Sequence, residues 1–181
     1  MMPVLSIVMP TIKGREDYLK RAMLVYEQRT DAEIEWLIVH DRPTCGQAWN
    51  EGAAQATGTF LHLSADDLEP WTFHWLSVAI HATQRGGVPL GTVREGAELF
   101  GNDFCRVPFC RREWWQDIPA DLHYYTDNAF TDLMVRDGHE PVTAPGYDFL
   151  HRKAMVGRGA GMSESDRMER DSAVYRRWSL V

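Results

Sequence analysis

The first half of the chain alternates short apolar segments with amphipathic ones, and this order restricts the fold more than any other feature. The apolar segments have the length of buried strands, and the amphipathic ones repeat apolar residues at helical spacing. Predicted strands are residues 4–9, 36–39 and a segment ending at 63, and predicted helices are about 16–28, 45–56 and 70–84. We expect Pro10 to stop the first strand, Thr44 to cap the second helix and Gly58 to end it. A β-α-β-α-β-α order implies a parallel sheet with right-handed crossovers.

The length and composition place the chain among ordinary globular proteins. Its 181 residues are expected to form one domain with a sizeable core. The net charge of -7 disfavours non-specific binding to nucleic acid or to an anionic membrane, and no apolar segment has transmembrane length. Three cysteines without zinc spacing fit reduced thiols in the cytoplasm, with Cys110 as a nucleophile kept as an alternative. A homo-oligomer is compatible with these features.

The second half begins after Gly86-Gly87 and has weaker patterns. Predicted strands are 88–94, 104–109 and 141–144, and predicted helices are 111–117, 126–136 and a terminal helix to about 178. Ser163 and Asp166 resemble a capping box for that last helix. The glycine-rich segment 157–161 is either a flexible connector or a lid over a ligand.

Two adjacent carboxylates, Asp66 and Asp67, directly follow the third predicted strand. Ligands of open α/β sheets bind outside the carboxyl ends of the strands. A carboxylate pair there suits Mg²⁺ or Mn²⁺ carrying a diphosphate. A turn and a helix that begins at Glu69-Pro70 would explain the same acids without a metal, because Asp commonly caps helices. Both interpretations stay open at this point.

Several short segments occur in an order that resembles the family-2 glycosyltransferases with the GT-A fold. They are residues 7–11 (IVMPT), 38–41 (IVHD), 50–52 (NEG), 56–58 (ATG) and 63–67 (LSADD), followed more weakly by 125–127 and 138–142. The resemblance implies a mixed, mainly parallel sheet flanked by helices in one compact domain. Residues 1–85 would form its nucleotide-sugar-binding half and residues 86–181 its acceptor and catalytic half.

The resemblance also implies roles for single residues. Asp66 and His151 would bind the metal, Asp127 would be the catalytic base, and Ser64 replaces the first acid of the family's D-x-D pattern. Contacts to the nucleotide sugar would come from Pro10, Thr11, Arg15, Asp41, Asn50, Ser64, Ala65, Asp67, Arg152, Lys153 and Arg158. Simpler explanations remain for three of these sites: a turn acid for Asp41, a first-turn helix acid for Asp127, and a solvated basic segment for 151–153.

These assignments predict a reaction. Cleavage of the bond between sugar and diphosphate leaves negative charge on phosphate, which Mn²⁺ or Mg²⁺ stabilises. A carboxylate that takes the proton of an acceptor hydroxyl in a single displacement inverts the anomeric carbon. We therefore predict an inverting, metal-dependent glycosyltransferase with a nucleoside-diphosphate sugar donor, UDP-linked by preference, and an unidentified acceptor. The alternatives are a non-catalytic nucleotide-sugar-binding module and a sugar nucleotidyltransferase, the latter disfavoured because residues 10–15 contain one glycine.

Overall fold

The computed structural model describes residues 5–100, 104–152 and 164–180. Its elements are β1 Leu5–Thr11, α1 Glu16–Arg29, β2 Ile34–His40, α2 Cys45–Gln55, β3 Phe60–Leu63, β4 Leu68–Pro70, α3 Trp75–Gln84, β5 Val88–Glu95, β6 Glu98–Phe100, β7 Phe109–Arg111, a 3₁₀ turn Arg112–Trp114, α4 Thr126–Arg136, β8 Pro141–His151 and α5 Glu164–Ser179. No helix in these parts of the chain is long and apolar enough to cross a membrane.

The first sheet has the strand order β2-β1-β3-β7, in which β1 pairs in parallel with β2 and β3, and β7 runs antiparallel. The parallel arrangement predicted from the first half of the chain is confirmed. The predicted end of β1 at Pro10 is wrong, because Pro10 and Thr11 still pair with β2. Pairing with β3 ends at Val8, so β1 has a neighbour on one side only at Pro10, where proline is tolerated.

The second sheet has the order β4-β8-β5-β6 and corrects several predicted boundaries. The helix predicted to begin at Glu69-Pro70 begins at Trp75, because residues 68–70 form β4 and pair with the end of β8. β8 extends to His151, well beyond the predicted end at Ala144, since β4 and β5 flank it on both sides. Of the predicted strand 104–109, Phe109 alone belongs to a strand, the three-residue β7.

Helix α2 packs closely on β1, and glycines permit this approach. A Cβ atom at Gly52 would lie 2.3 Å from Val8 Cγ1. The predicted cap is confirmed, since Thr44 Oγ1 accepts the main-chain N–H of Gln47 at 3.2 Å. Gly58 does not end the helix as predicted, because α2 already stops at Gln55. Gly58 instead sits where a Cβ would lie 2.6 Å from Ser6 Oγ.

The alternating side chains of β1 enter two separate cores, one on each face of the first sheet. Ile7 and Met9 pack with residues of α1 and α3, including Tyr26 and Trp75. Val8 packs with residues of α2 and α4. Helices therefore cover both faces, and the carboxyl ends of β1, β2 and β3 meet at one edge of the sheet.

The predicted helix 126–136 is confirmed as α4, and the predicted terminal helix corresponds to α5. The predicted 111–117 helix is reduced to a 3₁₀ turn. Ser163, proposed as the cap of α5, and the glycine-rich segment 157–161 lie outside the described residues. Asp166 lies inside α5.

Candidate active site

The segment between β3 and β4, residues 64–67, carries the two adjacent acids and is called the acid loop below. Because β1 and β3 run in parallel, their ends bring Thr11 beside Asp66, and Thr11 Oγ1 donates a hydrogen bond to Asp66 Oδ2 at 2.7 Å. Arg15, which precedes α1, binds both acids through Nη2, at 2.6 Å from Asp66 Oδ1 and 2.6 Å from Asp67 Oδ2. One guanidinium thus bridges both carboxylates and offsets part of their negative charge.

Asp67 also faces His151 at the end of β8. The Nε2 atom of His151 lies 3.5 Å from Asp67 Oδ1, and its Nδ1 atom lies 2.6 Å from Glu95 Oε1. His151 was predicted to lie beside the acids, and the structure brings it there. Glu95 was not predicted, since its only signal in the sequence is an acid at the end of a predicted strand.

The two acids have opposite shifts in pKa. Burial raises the pKa of Asp66, despite the hydrogen bond from Thr11 and the charge of Arg15. Burial also acts on Asp67, but the hydrogen bond and charge of His151, together with Arg15, lower the pKa of Asp67 overall. The hydrogen bond to Asp67 raises the pKa of His151, and Glu95 adds to this effect. Asp67 is therefore the more strongly ionised acid of the pair.

Asp127 is the second residue of α4, and the helix follows Tyr125, whose φ of 63° is in the left-handed region. Burial raises the pKa of Asp127 to about 6, against an ordinary value of 3.8. Its carboxylate accepts the main-chain N–H of Asn128 at 3.0 Å. The raised pKa makes Asp127 a stronger base than an exposed aspartate, and its carboxyl group is still mostly ionised at neutral pH.

The pKa of the Cys45 thiol responds to charges on both Asp127 and the acid loop. Cys45 is the first residue of α2, and burial raises the pKa of its thiol to about 12, with further increases from the negative charges of Asp127 and Asp67. Both acids therefore act on one thiol at the start of α2. Cys110 is buried at 1% exposure, and burial raises the pKa of its thiol far above the usual range, so neither access nor ionisation favours its alternative role as a nucleophile.

Asp41 follows β2 at the same edge of the sheet. Its φ of 54° is in the left-handed region, which aspartate tolerates better than most residues. Its main-chain N–H donates to Thr11 O at 2.9 Å, and its Oδ1 accepts the main-chain N–H of Lys13 at 2.9 Å. The exposed Asp41 thereby joins the end of β1, which contains Pro10, to the loop after β2.

Two residues assigned to the nucleotide sugar have other partners. The Ser64 hydroxyl is buried and lies 2.8 Å from the hydroxyl of Tyr26, so this replacement of the usual acid faces the core. The amide of Asn50 binds the main chain of Ile118 through both polar atoms, at 2.7 Å and 3.1 Å. We correct both assignments to structural roles, because these contacts use the polar groups that a ligand would need.

The remaining assigned residues lie near the acid loop or outside the described chain. Ala65 is part of the loop, and its carbonyl accepts the N–H of Leu68 at 3.1 Å. Arg152 donates its main-chain N–H to Asp67 O at 2.7 Å, and its Nε to Glu69 at 2.9 Å. Lys153 and Arg158 lie outside the described residues.

A cavity of about 830 Å³ adjoins His151. It shares His151 and Glu95 with the site but includes neither the acid loop nor Asp127, so the acids define the site better than this cavity does. Its walls are Asp17, Tyr18, Arg21, Glu95, Gly96, Glu98, Leu150, His151 and Arg152.

The acid loop and His151 offer oxygen and imidazole ligands of the kind that Mn²⁺ accepts. No cluster of three or more His, Cys, Asp or Glu side chains arranged for a metal occurs among residues 5–100, 104–152 and 164–180. Mg²⁺-type sites in phosphate-transferring proteins typically use one or two carboxylates and complete their shell with phosphates and water. The residues fit a cation of that kind, carried by a diphosphate, better than a metal held by protein alone.

Comparison with solved structures identifies the fold. The chain superposes on GalNAc-T7, crystallised with UDP, GalNAc and Mn²⁺, with a TM-score of 0.69 and 12% identity, covering 97% of this chain and 48% of that one. It superposes on a mannosyltransferase from Pyrobaculum calidifontis, in complex with GDP-Man and Mn²⁺, with a TM-score of 0.60 and 14% identity over 87% of this chain and 59% of that one.

A third match is glucosyl-3-phosphoglycerate synthase from Mycobacterium tuberculosis, in complex with Mn²⁺, UDP and glucosyl-3-phosphoglycerate. Its TM-score is 0.57 at 12% identity, covering 84% of this chain and 73% of that one. The chain therefore has the GT-A fold, a mixed α/β sheet flanked by helices. It spans about half the length of GalNAc-T7, and identities this low establish the fold alone. No protein-family model and no curated protein sequence matches the chain.

Proposed function

We propose that this protein transfers a sugar from a nucleoside-diphosphate sugar to an acceptor hydroxyl, with inversion at the anomeric carbon. The observation that carries the proposal is the arrangement of acids at the open edge of a GT-A sheet. Arg15 and His151 contact Asp67 at this edge, and the negative charges of Asp67 and Asp127 both raise the pKa of the buried Cys45 thiol, which supports a place for Asp127 near the same edge. The three matched structures contain nucleotides or nucleotide sugars with Mn²⁺, which supports the same class of donor here.

The acid loop and Arg15 form the part of the site that would bind the diphosphate. Asp66, Asp67 and His151 would hold a Mn²⁺ or Mg²⁺, which supplies electrostatic stabilisation of the leaving diphosphate when bound. The Nε atom of Arg15 is buried and finds no hydrogen-bond partner among the described residues. A phosphate oxygen would satisfy this donor, and charge-assisted hydrogen bonds of this kind are among the strongest that proteins make.

Asp127 is the proposed base. Its pKa of about 6 leaves it mostly ionised at neutral pH, ready to accept the proton of an acceptor hydroxyl. A carboxylate that accepts this proton during a direct displacement leaves the product with inverted configuration. Arg106 lowers the pKa of Asp127 and favours its ionised form, which the reaction requires.

Two further parts of the proposal concern the donor and the compartment. UDP is the preferred nucleotide, and Asp41 at the end of β2 is the proposed contact to the base, with Pro10 and Thr11 lining the same edge. Two of the matched structures contain UDP and one contains GDP-Man, so both nucleotides belong in any screen.

The three cysteines are free thiols, which supports a reducing compartment such as the cytoplasm.

A two-step screen tests the proposal. Thermal unfolding is measured with UDP, GDP, CDP and TDP sugars, with and without Mn²⁺, and a true ligand at 100-fold its dissociation constant adds about 2.7 kcal/mol of stability. Release of nucleoside diphosphate from the best donor is then measured for the wild-type protein and for Asp127→Ala. We expect Asp127→Ala to bind the nucleotide normally and to release little product.

The outcomes separate the proposal from its alternatives. Binding of a nucleotide sugar without release of nucleoside diphosphate would identify a non-catalytic binding module, an alternative favoured by Ser64 in place of an acid. Formation of a nucleotide sugar from a nucleoside triphosphate and a sugar phosphate would identify a nucleotidyltransferase. Wild-type turnover in Asp127→Ala would remove the assigned base.

A further inference from the structure

The second sheet places three ionisable residues in a row at the ends of adjacent strands. β8 lies between β4 and β5, antiparallel to the first and parallel to the second. Its last residue, His151, pairs with Leu68, the residue after Asp67. On the other side Leu150 pairs with Arg94, the residue before Glu95. The backbone register therefore brings Asp67 and Glu95 to opposite sides of His151.

The side chains of this row make asymmetric contacts. Glu95 Oε1 lies 2.6 Å from His151 Nδ1, a short hydrogen bond, whereas Asp67 Oδ1 lies 3.5 Å from Nε2. The side chain of Glu95 is 18% exposed and that of His151 is 31% exposed. The shorter contact thus holds Nδ1, and the longer one leaves Nε2 facing the acid loop.

We propose that Glu95 is a positioning residue that fixes the His151 ring with its Nδ1–H on Glu95, so that Nε2 is presented to a divalent cation at the acid loop. The inference rests on the proposed function, since it assumes that the acid loop takes such a cation. A carboxylate that accepts the second ring N–H of a ligating histidine sets the tautomer and the ring orientation. Loss of such a partner typically weakens metal binding about 10- to 100-fold.

A purely structural role for Glu95 makes different predictions. Glu95 is the last residue of β5 and pairs with Glu98 across the short hairpin to β6. If Glu95 only stabilised this hairpin, its replacement would lower thermal stability and would leave the His151 tautomer and the metal affinity unchanged. Glu98 offers a matched control, because it lies on the same hairpin, lines the same cavity and is exposed to solvent.

The first measurement is the affinity for Mn²⁺ in the presence of the nucleoside diphosphate selected by the screen. The electron paramagnetic resonance signal of free Mn²⁺ reports how much of the metal is unbound. We expect Glu95→Ala to raise the dissociation constant for Mn²⁺ about 10- to 100-fold, and Glu95→Gln to raise it less, since its amide oxygen still accepts the Nδ1–H. Glu98→Gln should bind like the wild-type protein. Adding Glu95→Ala to His151→Ala should cause no further loss, because Glu95 acts through His151.

The second measurement reads the histidine directly in the metal-free protein. Proton–nitrogen correlation spectra of the imidazole rings, recorded at alkaline pH where His151 is neutral, should show the Nδ1–H tautomer in the wild-type protein and in Glu98→Gln. Glu95→Ala should shift the His151 signals toward the other tautomer.

The two measurements separate the possible failures. If the wild-type protein binds Mn²⁺ but Glu95→Ala binds it equally well, or if the tautomer is the same in both, the role of Glu95 is refuted and the proposed function stands. If Glu95→Ala weakens Mn²⁺ binding as strongly in the His151→Ala background, Glu95 does not act through His151. If the wild-type protein binds no divalent cation with any nucleoside diphosphate, the proposed cation site itself fails.

Discussion

Replacement of Asp127 by Asn should stabilise the fold while it removes the proposed base. Burial raises the pKa of Asp127 from 3.8 to about 6, so the folded protein disfavours the charged carboxylate. A shift of about two pKa units corresponds to about 3 kcal/mol. The side chain is only partly buried, so solvent screening reduces the expected gain in the free energy of unfolding to about 1–2 kcal/mol.

The gain depends on pH in a defined direction. Because its folded-state pKa is the higher one, the native protein binds more protons than the unfolded chain between about pH 4 and 6. The free energy of unfolding of the wild-type protein therefore falls as pH rises through this window. Above about pH 6 the full cost of the buried Asp127 charge is present. Asn carries no charge and avoids this cost, so the variant should gain most at neutral pH and least near pH 4.

Urea denaturation at about pH 4.5, 6 and 7.5 measures the effect for both proteins. Asp132→Asn is the matched control, since it removes a carboxylate from the same helix, where Asp132 accepts a hydrogen bond from Tyr175 at 2.6 Å. We expect Asp132→Asn to bring no gain. Equal stability of Asp127→Asn and wild type at pH 7.5, or a difference that does not change with pH, would refute the reasoning.

Three further predictions concern the supports of the site. Gly52→Ala places a Cβ 2.3 Å from a Val8 methyl group and should lower the free energy of unfolding by about 1–3 kcal/mol in urea denaturation; unchanged stability would show that α2 can move away from β1. Arg15→Gln removes the guanidinium at the acid loop and should weaken nucleoside diphosphate binding by about 10- to 150-fold by calorimetry, since a hydrogen bond to a charged group contributes about 1.5–3 kcal/mol. Asp171→Ala leaves two main-chain N–H groups before α4 without their acceptor, and should lower kcat while nucleotide affinity is kept; equal losses in both would argue against a role in placing Asp127.

Local patterns in the sequence predicted the three parallel strands of the first sheet and the helices α1 and α2 between them. β1, β2 and β3 are apolar, each is followed by a segment with its own end signals, and a parallel order follows from this alternation. The pair Asp66-Asp67 was predicted at the sheet edge for the same reason, and the structure brings His151 to it as expected. These features depend on neighbouring residues, which a sequence displays directly.

Features that depend on distant pairing were not predicted. Glu69-Pro70 looked like the start of a helix, but the end of β8 pairs with this segment and makes it a strand. Glu95 was missed because its contact with His151, 56 residues away along the chain, depends on the register between β5 and β8. Asn50 was assigned to the ligand because nothing local reveals that its amide binds Ile118.

The most direct test of the proposed site is a crystal structure grown with the selected nucleoside diphosphate and Mn²⁺, with anomalous diffraction recorded at the manganese edge. We predict one anomalous peak within coordination distance of Nε2 of His151 and of a carboxylate of the acid loop. The diphosphate should lie beside Arg15, and Asp127 should face the position of the sugar. A nucleotide bound in the cavity lined by Tyr18 and Glu98, or a peak that touches neither His151 nor the acid loop, would contradict the account.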